Sequence, residues 1–157
     1  MSIKNEAKIV CRNKEAERRY QLEERYEAGI QLLGTEVKSL REGRANLKDA
    51  YCRFEDGELY LVGAHIAPYP QSKFFNHQPE RPRKLLLHKK ELKRLLGKVT
   101  ERGYTIIPTK IYFNKRGLAK LEIALAKGKK LYDRREELKK RDLERELRRE
   151  AKLKRRF

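Results

Sequence analysis

The chain has 157 residues, with 41 Lys+Arg against 23 Asp+Glu and a formal net charge of +18. Its 38% hydrophobic and 41% charged residues, with no tryptophan, suit one small domain with a modest core and exclude two large ones. The longest uncharged stretch, Leu59 to Ser72, is broken by Gly63, Pro68 and Pro70, so no helix spans a membrane.

In chain order, the N-terminus MSIKNEAKIVCRNKEAERR lacks an apolar signal core, which predicts a protein retained in the cytosol. A strand is expected over Tyr20 to Leu32. Thr35 is placed to cap a short helix from Glu36 to Glu42 that buries Val37 and Leu40 and stops at Gly43. Asp49 to Ile66 reads as a hairpin, with Asp56-Gly57 at the turn. The loop from Pro68 to Pro82 holds four prolines and three aromatics. Such aromatics either stack on bases or pin the loop to its own domain. A second helix runs from Lys89 to Arg102, with Leu92, Leu95, Leu96 and Val99 on one face and Gly103 at its end. Tyr104 to Ala126 is a second hairpin, with Thr105, Ile107, Thr109, Ile111 and Phe113 on one face and Pro108 marking an edge or bulge. The pattern is mainly β with flanking helices, suited to a small closed antiparallel barrel of the oligonucleotide-binding (OB) type, over residues 1–127.

The remaining residues, 128–157, form a basic tail. From Lys127 onward there are 15 Lys+Arg and 7 Asp+Glu, so 31 residues carry +8 and the first 126 carry +10. The tail has too few apolar residues to offset the entropy of ordering, about 1–2 kcal/mol per residue, and is expected to be disordered when free. Acid-to-base pairs four residues apart favour a helix on a partner, with Arg141, Arg145, Arg148, Lys152 and Arg155 on one face as a track for phosphates.

No catalytic motif stands out, which predicts a protein that is not an enzyme and needs no metal or cofactor. His65, His77 and His88 are scattered, and no acidic cluster would hold Mg2+. His88, beside Arg83, Lys84, Lys89 and Lys90, is either a base or phosphate contact or a plain surface histidine. Cys11 and Cys52 fit two reduced thiols.

Several blocks then carry a resemblance: Tyr26-Glu-Ala-Gly29, Gly34-Thr-Glu-Val-Lys-Ser-Leu-Arg41, Gly43-Arg-Ala-Asn46, Arg81-Pro-Arg-Lys-Leu-Leu-Leu-His88 and Ala126-Lys-Gly-Lys-Lys-Leu-Tyr-Asp-Arg-Arg135. In order and over essentially the whole chain, they resemble the small protein B (SmpB) family of SsrA-binding proteins. The resemblance implies an OB-type barrel that binds the tRNA-like domain of transfer-messenger RNA (tmRNA). It also implies delivery, with elongation factor Tu and GTP bound through tmRNA, to ribosomes stalled on an mRNA without a stop codon, where the nascent chain is tagged for degradation. The tail would become helical in the vacant mRNA channel, and the protein would act as a monomer in the cytoplasm.

By position, the family's RNA contacts fall on Glu27, Leu86 and His88, with Arg83 and Lys84 beside them. Its ribosome-engaging segments fall on Gly128, Lys129, Lys130, Asp133, Arg134 and Arg135. Many members have His where this chain has Tyr132, which shifts the expected role there from proton chemistry to stacking or hydrogen bonding. A ribosomal protein or assembly factor is the competing reading, since it shares the small barrel and the basic tail.

Overall fold

The computed structural model describes residues 8–72, 74–101, 103–128 and 145–149. Up to residue 128 the described elements run in the order β1 (Lys8–Arg12), α1 (Ala16–Arg19), β2 (Tyr20–Ile30), α2 (Gly34–Arg41), β3 (Ala45–Asn46), β4 (Tyr51–Glu55), β5 (Glu58–Val62), β6 (His65–Ile66), β7 (Arg83–Leu86), α3 (Lys89–Thr100), β8 (Tyr104–Phe113) and β9 (Ala119–Gly128).

Seven strands pair in the order β1-β8-β4-β5-β7-β2-β9, and β8 also pairs with β9. That last pairing closes a ring of six antiparallel strands and removes their free edges. β1 extends one side of β8 at residues 110–113, while β4 meets β8 at Ile106, so the two share one long neighbour. β3 and β6 form a separate two-stranded ladder.

Local sequence explains the turns. Asp56 and Gly57 both take positive φ, +51° and +80°, the geometry of a two-residue turn that matches the twist of β4 and β5. Gly63 ends β5 at φ +81°, and a Cβ there would lie 3.2 Å from the Asp49 carbonyl oxygen, so both conformation and space require glycine.

Ala28, Leu59, Leu61, Leu85, Leu121, Ile123 and Leu125 fill the barrel with Leu40 and Leu95 from α2 and α3. The face expected for β8 is split. A bulge between Pro108 and Lys110 shifts the register, so Ile106 joins the main core before it and Ile111 and Phe113 after it. Ile107 instead packs with Ala16 and Ala126 in a second cluster. On α3, Leu95 is buried and Leu92 and Val99 pack against the core, but Leu96 is exposed.

Helix α2 begins at Gly34, and Thr35 is not its cap. Glu36 reaches back to accept from the Leu33 N–H at 2.7 Å, which satisfies one of the first turn's orphan donors. The Thr35 hydroxyl is used elsewhere, 2.8 Å from His77 Nδ1. Because His77 Nε2 lies 2.8 Å from the Ile66 carbonyl, which only accepts, Nε2 carries a proton.

Glu36 is completely buried and joins two guanidiniums. Arg81 donates to it at 2.6 and 3.1 Å, and Arg83 donates at 2.6 Å. Arg83 also donates to the Ala64 carbonyl at 3.0 Å and the Pro79 carbonyl at 2.9 Å, while Arg81 reaches the Gln31 carbonyl at 3.3 Å. One carboxylate thereby ties α2 to the end of β2, to β7 and to the loop of residues 67–82. Burial pushes the Glu36 pKa up, but hydrogen bonds from Arg81, the Leu33 N–H and Arg83, with the Arg83 charge, outweigh it and hold the carboxyl below its ordinary range.

Removing the charge alone, as in Glu36→Gln, leaves Arg83 buried with an uncompensated cation. The expected loss is about 3–5 kcal/mol of unfolding free energy, measured by urea denaturation at pH 7. Since the folded carboxyl titrates below its unfolded value of 4.5, its contribution is complete above that pH and disappears as pH falls through the lower folded value. The gap between wild type and Glu36→Gln should therefore narrow below about pH 4.5. An unchanged gap down to pH 3 would refute the assignment.

Candidate nucleic-acid interface

Exposed residues alternate along β2 at Gln21, Glu23, Arg25 and Glu27. On the neighbouring strands, Glu27 sits opposite Glu122 of β9, and Glu122 sits opposite Lys110 of β8. Directly opposed residues share a face, so one outer row carries two carboxylates and a cation. The Tyr112 hydroxyl donates to Glu27 Oε2. Glu122 Oε2 accepts from the Thr109 hydroxyl at 2.5 Å and from Arg25 at 3.3 Å. Burial and the neighbouring Glu27 carboxylate raise the Tyr112 pKa, so the phenol stays protonated and available as a donor.

β7 supplies the other side. Gly29 pairs with Leu86 and Ile30 with Leu85, which sets Leu86 two residues along β2 from Glu27. Leu86 is 49% exposed, unusual for a strand leucine whose neighbour Leu85 is buried. His88 is exposed at the entrance to α3, where its N–H donates to Glu91 Oε1 at 3.2 Å. The helix is tethered to β2 by Arg94, which donates to Glu24 Oε1 at 2.5 and 2.8 Å. Lys84 is half-buried, 3.6 Å from Glu58. Glu27 and Leu86 thus lie on two paired strands, and His88 follows two residues after Leu86 at the entrance to α3.

Arg83 does not join them. The sequence places it in a basic run and predicts an RNA contact, yet it is completely buried and spends its fork on Glu36, Ala64 and Pro79. Alternation along β7 turns positions 83 and 85 inward and leaves 86 outward, so Arg83 positions the strand and does not touch a ligand. Gly128 is likewise the last residue of β9, paired with Tyr20, and belongs to the barrel rather than the tail. Arg145 and Arg148 lie in an exposed helical segment, residues 145–149. Lys129, Lys130, Tyr132, Asp133, Arg134, Arg135, Arg141 and Lys152 fall outside the described residues.

Sequence reasoning missed two parts of this face. Tyr112 gave no signal beyond strand alternation. Arg12, Lys14, Arg18, Arg25 and Lys110 come from separate segments but line one open cleft with Glu17 and Glu122. That is a cationic margin beside the carboxylate row, able to neutralise phosphates. The two thiols are not reactive centres: burial keeps the Cys52 thiol strongly protonated and raises Cys11 to about 11. Among the described residues, no group of three or more His, Cys, Asp or Glu is placed to hold a metal, and no helix is long and apolar enough to cross a membrane.

A small closed antiparallel barrel whose outer face combines acceptors, an exposed leucine and a cationic margin is the architecture of a nucleic-acid-binding module. A family model described as SmpB protein matches residues 10–153, and the chain belongs to that family. The SsrA-binding protein of Moorella thermoacetica is 59% identical over 142 residues, covering 90% of this chain and 92% of the relative. That of Thermosipho melanesiensis is 61% identical over 141 residues, covering 90% and 96%. Among solved structures, a chain from the work described as "tmRNA-SmpB: a journey to the center of the bacterial ribosome" superposes with a TM-score of 0.66 at 56% identity, covering 78% of this chain and 85% of that one.

Gly29 gives the site a local test. A Cβ built there lies 3.3 Å from the Leu86 Cβ, closer than such atoms normally sit, and because a Cβ moves only with its backbone, β7 must yield by a few tenths of an ångström at Leu86. Gly29→Ala should leave the circular-dichroism spectrum unchanged, shift the Leu86 methyl resonances and weaken RNA binding several-fold. Unmoved methyls would show that the two strands do not pack as described.

Proposed function

We propose that this protein binds the tRNA-like domain of tmRNA and carries it to stalled ribosomes for trans-translation. The single observation that carries this reading is the membership of an SsrA-binding family over nearly the whole chain, together with a solved relative described with tmRNA and the ribosome. The protein acts by binding, with elongation factor Tu and GTP engaged through the RNA.

The chemistry of the outer face supports a division of labour among its residues. A carboxylate repels phosphate, so Glu27 serves as an acceptor for base N–H or ribose 2'-hydroxyl donors, and Tyr112 holds one of its oxygens in place. Leu86 offers an apolar surface to a base or sugar, and His88 a hydrogen-bonding group. The cleft cations supply affinity that falls with salt, whereas Glu27 supplies orientation. The barrel is the tmRNA-binding part. The basic residues beyond it, including Lys129, Lys130, Arg134, Arg135, Arg141, Arg145, Arg148 and Lys152, engage the small subunit's empty mRNA channel, with Tyr132 stacking or hydrogen bonding to ribosomal RNA.

Two measurements separate these roles. Glu27→Lys and His88→Ala should each weaken tmRNA binding at least tenfold in a filter assay with no change in melting temperature; wild-type affinity in both would remove the site assignment. A chain ending at Gly128 should hold tmRNA within a few-fold of full length yet fail to tag nascent chains on stalled ribosomes in a reconstituted system. Loss of tmRNA binding on that truncation would overturn the division of labour.

A further inference from the structure

The loop of residues 67–82 does not use its phenylalanines to hold itself down. Its anchors are polar: His77 between Thr35 and the Ile66 carbonyl, Ser39 Oγ donating to the Ala67 carbonyl at 2.6 Å, and Arg83 on the Pro79 carbonyl. Further out, Asn76 closes the loop on Tyr69 with two bonds, accepting from the Tyr69 N–H at 3.1 Å and donating to the Tyr69 carbonyl at 2.9 Å. The Ser72 hydroxyl donates to the Phe75 carbonyl, and Lys38 lies 5.4 Å from the Tyr69 ring centroid. Within this closed loop Phe74 is 101% exposed and Phe75 is 64% exposed. Two adjacent aromatic side chains stand out in water between residues that are hydrogen-bonded to one another, Tyr69 with Asn76 and Ser72 with Phe75. A ring exposed to water forgoes the gain of burial, and bonds already made at the base of a loop reduce what must be ordered on binding.

The position of the loop selects its partner. It is tied to the Ile30 end of β2, through Arg81 on the Gln31 carbonyl, only a few residues beyond Glu27. The chain beyond the barrel leaves from Gly128, paired with Tyr20 at the opposite end of β2, about 30 Å away along the strand. The loop therefore belongs to the Glu27 half of the barrel, away from Gly128, and Lys38 gives it a cation for a neighbouring phosphate.

We propose that Phe74 and Phe75 form a stacking platform for an unpaired nucleotide of the same RNA that engages Glu27. The platform is a second, sequence-tolerant contact on tmRNA, and the inference rests on the reading of this chain as a tmRNA-binding protein. Every base has a π-face, so the contact adds affinity without reading sequence, and being uncharged it adds nothing to the salt dependence.

Because the chain has no tryptophan, Phe74→Trp in the full-length protein is a single fluorescent reporter. Its emission should be quenched by stoichiometric tmRNA. The Phe74→Ala/Phe75→Ala double variant should lose about 5- to 150-fold in tmRNA affinity at an unchanged salt slope and unchanged melting temperature. Phe74→Leu/Phe75→Leu should not restore it, because leucine has no π-face.

Restoration by leucine would show an apolar contact with the RNA that needs no π-face, and would overturn the inference. Quenching by ribosomes but not by tmRNA would assign it to ribosomal RNA, also against it. If wild type binds tmRNA and the double variant binds equally well, the platform is wrong and the broader function stands. If wild type binds no tmRNA, the broader function falls and the platform with it.

Discussion

A single buried carboxylate organises the working half of this molecule. Glu36, with no solvent exposure, holds Arg83 and Arg81, and the carbonyls of Ala64, Pro79, Gln31 and Pro82 accept further guanidinium protons. Ions taken out of water cost several kcal/mol each unless their charge and hydrogen bonds are met, so the cluster is favourable only when all of its parts are in place. Those parts come from the end of β2, the first turn of α2, the end of β5, the long loop and the start of β7. The clamp therefore sets the register at which β7 enters the sheet, and with it which side chains of that strand face out.

What faces out follows from that register. With Arg83 and Leu85 turned inward, Leu86 is left half-exposed, and the chain then turns into α3 with His88 at its entrance. On the other side of β2, barrel closure through β8 and β9 brings Tyr112 and Glu122 alongside. The members of this face come from β2, β7, β8 and β9, which lie far apart in sequence, so closure of the barrel is a precondition for the face to exist. The cations that border it are drawn from β1, α1, β2 and β8, which is how a total charge of +18 becomes a local field beside a specific acceptor row.

Much of the architecture was legible in the sequence because turn chemistry and alternation act locally. Asp56-Gly57, Gly43 and Gly103 marked boundaries through positive φ, and the Leu92-Leu95-Val99 spacing marked α3. The failures have equally definite causes. Arg83 was read as a ligand contact because burial of an arginine depends on a carboxylate 47 residues away, which no local pattern reveals. The bulge that Pro108 marks is present, and it splits the face expected for β8: Ile111 and Phe113 reach the main core as expected, but ahead of the bulge Ile106 takes the place expected for Ile107. Thr35 was read as a cap, but Glu36 supplied the bond to the Leu33 N–H and left the hydroxyl for His77. β1 and α1 went unseen, since β1 gains its strand pairing only from β8, a hundred residues later. Of the expected site, Glu27, Leu86 and His88 came from the family resemblance; nothing in their local spacing would have joined them.

The central claim is that this barrel is built to hold one particular RNA. It is tested most directly by sequencing the RNA that copurifies with the full-length protein from cells and comparing its molar yield with that of the protein. The account predicts tmRNA as the dominant bound species, with ribosomal RNA far below one copy per protein. Ribosomal RNA at unit stoichiometry with no enrichment of tmRNA would contradict it, and would mark the chain as a constitutive ribosomal protein.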